Sequence, residues 1–231
     1  SVEESDILYN RFYDISGSAI VIGSVNVINN SKDHEICKKI RIRQNYIEKA
    51  GAEYECSPGI TVYYASRIDI INNTLKNLPY SGISYGFDMG AHATWCRDSR
   101  IMRNKILDSM KVLDDGAPIY TAGTLLNTDI AYNYLSGSGH FRGGIYSDHG
   151  SMYGRFYGNV IEKIAMRMFN STHYWLWDWH KDNFNNSFFD NYIDRGIANS
   201  SAKDTVENTK LISENIAEVQ NIINHAGVDY E

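Results

Sequence analysis

The chain has 231 residues, 43% of them hydrophobic and 22% charged, with a net charge of −6 and a pI near 5.6. That is chain enough for one long core in a single domain, 1–231, and the acidic balance argues against the basic face that nucleic acid or an anionic membrane would need. No run approaches the roughly 18 apolar residues of a membrane span, so no membrane span is expected.

No signal peptide opens the chain, and its first residues, SVEESDIL, lead straight into strand-like sequence without a polar cap. A solenoid that begins in mid-stack exposes a strand edge, so the chain is expected to be the later part of a longer protein whose upstream coils are missing. An Asn followed two positions later by an apolar residue then returns at Asn10, Asn45, Asn73, Asn104, Asn133, Asn159, Asn191 and Asn215, roughly every 24 to 35 residues. Between these positions lie short β-branched and aromatic runs broken by Gly, Ser, Asn and Asp, at 59–64, 68–71, 82–85, 129–132, 144–146 and 155–157. Two-residue hairpin turns are missing from the joints, so the reading is all-β: a right-handed parallel β-helix, or solenoid, of about eight coils. Coils about 4.8 Å apart let Asn side chains at one corner form a hydrogen-bonded ladder, and Asn tolerates the left-handed backbone of a sharp corner. Cys37, Cys56 and Cys96 are an odd number at wide spacing, with neither a CxxC pair nor a zinc-finger His, and read as buried free thiols. No metal and no cofactor is expected.

The chemistry concentrates in two central coils, LDDGAPIYTAG at 113–123 and GGIYSDHGS at 143–151. Each sets a carboxylate beside a Gly and an aromatic strand. Two carboxylates on one groove are the minimum equipment for cleaving a glycosidic bond, one donating a proton and one acting as nucleophile or base. Aligning Ile119 with Ile145 puts Tyr120 over Tyr146, a sugar contact or a plain aromatic ladder. In the same register Asp115 lies four residues before its Ile and Asp148 three after, more than 20 Å apart on a straight strand, so the pair requires a bend at Gly116 and Pro118. Asp88, five residues after the aligned Ile83, is the competing partner for Asp148. His149 is placed to orient or protonate a substrate oxygen, and Trp95, His140 and Arg142 stand in loops that supply subsites. In THYWLWDWH, 172–180, Trp175, Trp177 and Trp179 alternate, so on a strand they share one face and offer indole surfaces to sugar rings. From about 204 to 227 apolar residues fall at helical intervals with Gly227 as a stop, which predicts a short C-terminal helix capping the last coil.

Four stretches taken together, PYSGISYG at 79–86, DDGAPIYTAG at 114–123, GGIYSDHGS at 143–151 and IINHAG at 222–227, resemble the β-helix glycoside hydrolases of β-xylosidase and α-L-fucosidase/xylanase type, over about residues 40–231. The resemblance implies hydrolysis of an oligosaccharide or polysaccharide in a groove along the solenoid, with Asp115 and Asp148 as catalysts, in an extracellular or periplasmic setting. This chain reads Asp115-Gly116-Ala117 where the family usually has Asp-Gly-Gly, and Asp148-His149-Gly150 where it has Asp-Glu-Gly. The resulting expectation is a carbohydrate-active enzyme on a neutral glycan. The alternatives are a polysaccharide lyase of uronic-acid polymers and a non-catalytic glycan-binding or adhesin solenoid.

Overall fold

A computed structural model describes residues 1–25, 32–88, 90, 93–178 and 180–230. Its strands fall into three sheets of eight, eight and seven strands, all pairings within them parallel, and each sheet takes every third strand of the chain. One turn of the path shows the plan: Ile119–Thr121 in sheet 3, Thr124–Ala131 in sheet 1, Tyr134–Ser136 in sheet 2, then Ile145–Ser147 beside Ile119–Thr121 again. The predicted runs all contain strands, for example Ile60–Val62, Ala65–Ile71, Ile83–Tyr85 and Met152–Tyr157.

The inward residues stack in columns. In sheet 2, Ile47, Leu75, Ile106, Leu135, Ile161 and Ile193 lie in register and form one row of a core that extends from Ile20 to Ile193. Each such side chain, removed from water, contributes about 1.5–3 kcal/mol of transfer free energy. The outer face of sheet 1 is charged, with Asp69 between Arg43 and Arg100 and Arg155 on Asp129.

At the corner between sheets 1 and 2 the predicted Asn ladder is present. Each carboxamide Nδ2 donates to the Oδ1 of the next Asn, Asn10 through Asn45, Asn73, Asn104, Asn133 and Asn159 to Asn191, at 2.9–3.0 Å. The same Nδ2 donates to a carbonyl of the coil before, as Asn73 does to Ile42, and Oδ1 also accepts from the next-lower Asn backbone N–H. The left-handed backbone belongs to the neighbouring residue instead. Gln44, Asn72, Arg103, Tyr132, Gly158 and Asp190, each just before a ladder Asn, have φ between 54° and 62°. Asn215 stands outside the ladder and bonds to Leu211.

The expected right-handed β-helix of about eight coils with a capping helix is corrected on this evidence. The three sheets are separate ladders that share no strand, so the strand pairing defines a parallel stacked-sheet solenoid and no closed barrel. Seven coils give a strand to each sheet, whereas the last gives only Thr205–Glu207 and Lys210–Leu211, to sheets 1 and 2. Those residues belong to strands, not to the predicted helix, because Val206 stacks on Phe188 in register. The helix is shorter, Ile216–His225, and lies along the flank of the stack: Val219 and Ile222 cover Val160 and Tyr192 on sheet 2. Beyond it the chain runs backward, with Asn72 donating to the His225 carbonyl, the Val228 N–H to Thr74 Oγ1 and Tyr230 Oη to the Gln44 carbonyl. No helix among the described residues is long and apolar enough to cross a membrane.

Removing one rung leaves buried backbone and carboxamide groups unpaired on both sides. Asn104→Ala should cost about 1–3 kcal/mol per stranded group and lower the urea midpoint markedly, whereas Asn215→Ala should leave it nearly unchanged in the same denaturation series.

Candidate functional site

Sheet 3 carries the site on its outward face. Ile83–Tyr85, Ile119–Thr121, Ile145–Ser147 and Tyr174–Asp178 pair in order, with Ile119, Ile145 and Leu176 stacked inward and Ser84, Tyr120, Tyr146 and Trp177 stacked outward. Tyr120 and Tyr146 meet edge to face at 5.2 Å. The register anticipated from Ile119 and Ile145 is the one found.

Asp148 follows Tyr146 by two residues on the same face and accepts a 2.6 Å hydrogen bond from Tyr120 Oη. Asp115 reaches the row from the other side. Its backbone is left-handed, φ 58°, and Tyr80 Oη donates to its carbonyl at 2.8 Å. The next residue must be small: a Cβ on Gly116 would stand 2.6 Å from Ser81 Oγ and 2.7 Å from the Tyr80 ring. Tyr146 Oη donates to Asp115 Oδ1 at 3.5 Å, and the Asp148 charge acts on the same hydroxyl.

Three phenols serve these carboxylates and all stay protonated. Burial, followed by the Asp148 charge, holds the Tyr120 and Tyr146 hydroxyls well above the usual phenol range, and burial with the Asp115 charge pushes Tyr80 up to about 12. Arg142 supplies a cation, 3.2 Å from Asp115 Oδ1 and 3.4 Å from Tyr146 Oη. Its guanidinium is set among the rings of Phe141, Tyr146 and Trp177 at 5.2–5.6 Å, and Arg167 sits over Phe141 and Trp177. His140 stands behind, tilted on Phe141 and 3.7 Å from Asp114, and burial lowers its pKa so that the neutral ring is favoured. A groove of about 240 Å3 lined by Tyr63, Tyr80, Ser84, Phe87 and Tyr120 runs along the same face. A larger hollow of about 400 Å3 on sheet 1 is lined by charges that are mutually paired, such as Arg41 with Asp6, and offers no such chemistry.

Three candidates fall elsewhere. Asp88 lies against Gly123, with its charge acting on Tyr64 and Cys96. Trp95 lies under the Arg97 guanidinium at 5.4 Å, away from the pair. Trp175 is in the core: the register shifts between Tyr174 and Leu176, so one extra residue turns Trp175 inward and leaves Tyr174 and Trp177 outward, edge to face at 4.9 Å. Trp179 lies outside the described residues. Of the cysteines, Cys96 is buried, Cys37 is half-buried and Cys56 is exposed, which corrects the expectation of three buried thiols.

Sequence reasoning missed Tyr80, Phe141, Arg167 and Tyr174, whose only signal was their distance of about one coil from residues already singled out. It also missed two clusters one coil beyond Asp148. His149 meets His180 and Asp182, with Nε2 3.0 Å from Asp182 Oδ2. Asp178, fully buried, lies within reach of the Asp204 charge and accepts from Asn183 Nδ2 at 2.6 Å.

The fold is one shared with solved structures. No family model matches the chain, and no curated protein matches it. Among solved structures, a chain described as "Glycoside hydrolase" superposes with a TM-score of 0.66 over 99% of this chain, at 19% identity. This chain spans 35% of the length of that structure, and at such identity the likeness is one of fold.

Burial and the neighbouring Asp204 carboxylate push Asp178 up to about 8. The folded chain therefore keeps a proton there that the unfolded chain releases in the usual carboxylate range. The stability this proton provides is complete below about pH 4 and is lost as pH rises toward 8. Asp178→Asn supplies the donor permanently. Its Tm should exceed that of the wild type at pH 9, by the equivalent of about 2 kcal/mol, and the two should converge at pH 4 in thermal melts.

Proposed function

We propose that the chain hydrolyses glycosidic bonds of a neutral glycan bound along the outer face of sheet 3, with Asp115 and Asp148 as the acting pair. The observation that carries this reading is that Asp148 and Asp115 accept from Tyr120 Oη and Tyr146 Oη, two phenols that meet edge to face at 5.2 Å in one row. The fold likeness to a glycoside hydrolase supports it.

The division of labour follows from the donors. Tyr120 Oη, held protonated, meets Asp148 and calls for an acceptor there, which suits Asp148 to the nucleophile or base role. Asp115 is the more accessible carboxyl, 65% exposed, and the one open to an arriving substrate. Arg142 orients Asp115 and Tyr146 together. Trp177 and Tyr146 are buried, 6% and 3% exposed, so they serve to hold Arg142 in place and do not offer open ring surface to a sugar. The reading carries with it an extracellular or periplasmic setting, where such polymers lie.

A second reading, elimination from a uronic-acid polymer, is favoured by the two guanidinium groups of Arg142 and Arg167 meeting over Phe141 and Trp177. Its products carry a carbon–carbon double bond and absorb in the near ultraviolet.

A panel of aryl glycosides and oligosaccharides separates these readings. For any glycoside the wild type cleaves, Asp115→Asn and Asp148→Asn should each lower kcat/KM by about a hundred- to ten-thousand-fold. Unchanged rates in both variants would remove the pair, and binding without turnover by the wild type would leave a glycan-binding solenoid.

A further inference from the structure

The cluster around His149 plays no part in that reaction. His149 ends the turn after Ile145–Ser147, and His180 and Asp182 follow Tyr174–Asp178, one coil further on. Separations of 31 and 33 residues match the coil length, so stacking alone brings the three together. His149 Nε2 is 3.0 Å from Asp182 Oδ2, the two imidazole centroids are 3.4 Å apart at 34°, and one ligand atom from each residue lies within 4.8 Å of the others.

A dication gives all three groups one common partner. Metal–ligand bonds of about 2.0–2.1 Å in a tetrahedral site place ligand atoms roughly 3.3 Å apart, close to the observed His149–Asp182 distance. The remaining span closes with a small rotation of side chains that are partly exposed, 31% for His149 and 37% for Asp182. Two imidazoles with one carboxylate suit zinc and its neighbours, not calcium or magnesium, which take oxygen ligands.

We infer that His149, His180 and Asp182 form a binding site for one divalent transition-metal ion of the zinc class. The ion joins the turn that follows Asp148 to the loop of the next coil, so it fixes the backbone beside one carboxylate without touching the substrate. The Asp148 carboxylate and Lys181 face His180 from the flanks. The site is independent of the hydrolase reading: either can fail while the other stands.

The test uses the whole chain, stripped with a chelator and titrated with Co2+ and Zn2+ by calorimetry and visible absorption. The expected result is one ion per chain at micromolar affinity or better, a cobalt ligand-field band of low coordination number, and a Tm that rises with Zn2+. His149→Ala and His180→Ala should each weaken binding at least a hundredfold, and Asp182→Asn about tenfold. Zn2+ should shift the ring signals of two of the seven histidines in the wild type, a readout that needs no variant. Failure of the wild type to bind Co2+ stoichiometrically, or binding undiminished in a folded His149→Ala/His180→Ala double variant, would overturn the inference.

Discussion

The carboxamide hydrogen bond from one ladder Asn to the next sets the geometry on which everything else rests. Each ladder Asn spends Oδ1 on the coil before it and Nδ2 on both neighbouring coils, so a fully buried polar side chain has its bonds made. A slip of one residue at this corner would break every such bond and turn the Ile and Leu columns of sheet 2 outward. The ladder therefore fixes register for all three sheets, and the row Tyr120, Tyr146, Trp177 inherits its alignment from a corner on another side of the coil.

The site arises where coils depart from that regularity. The connections leading into sheet 3 carry Asp114, Asp115, His140 and Arg142, and the turns leaving it carry Asp148 and His149. Rigid strands hold the phenols, and the loops bring charges to them. Tyr80, Tyr120 and Tyr146 are buried enough to remain donors, so they fix where negative charge can rest. Arg142 is held by ring faces as well as by Asp115, which limits its motion more than a surface ion pair would.

Much of this was legible in the chain because parallel stacking converts sequence spacing into spatial position. The repeat gave the Asn rungs, and aligning two Ile residues gave Tyr120 over Tyr146. What could not be read depends on single residues that break the period. The extra residue at Trp175 has no local signature, since an alternating Trp pattern looks the same with or without a bulge. The left-handed corner fell to the residue before each Asn, where Gln44, Arg103 and Tyr132 carry no turn propensity and are held there by the ladder itself. Asp88 was placed by register, five residues after Ile83, and Trp95 by its loop before the acidic motifs; in the structure Asp88 lies against Gly123 and Trp95 under Arg97. The helix was legible in period but not in place, because its apolar face matched Val160 and Tyr192 on the flank.

The backward run of the C-terminus changes how such a molecule comes apart. A stack in which each coil touches only its neighbours can fray from either end, losing one layer at a time. Here Asn72, Thr74 and Gln44 are tied to residues 153 to 186 positions away, across the length of the stack. The terminal layers cannot peel off while that strap holds, and once it is released the second to fourth coils lose contacts together with the last. The strap thus turns a row of weakly coupled layers into one cooperative unit, with the chain end as its clasp.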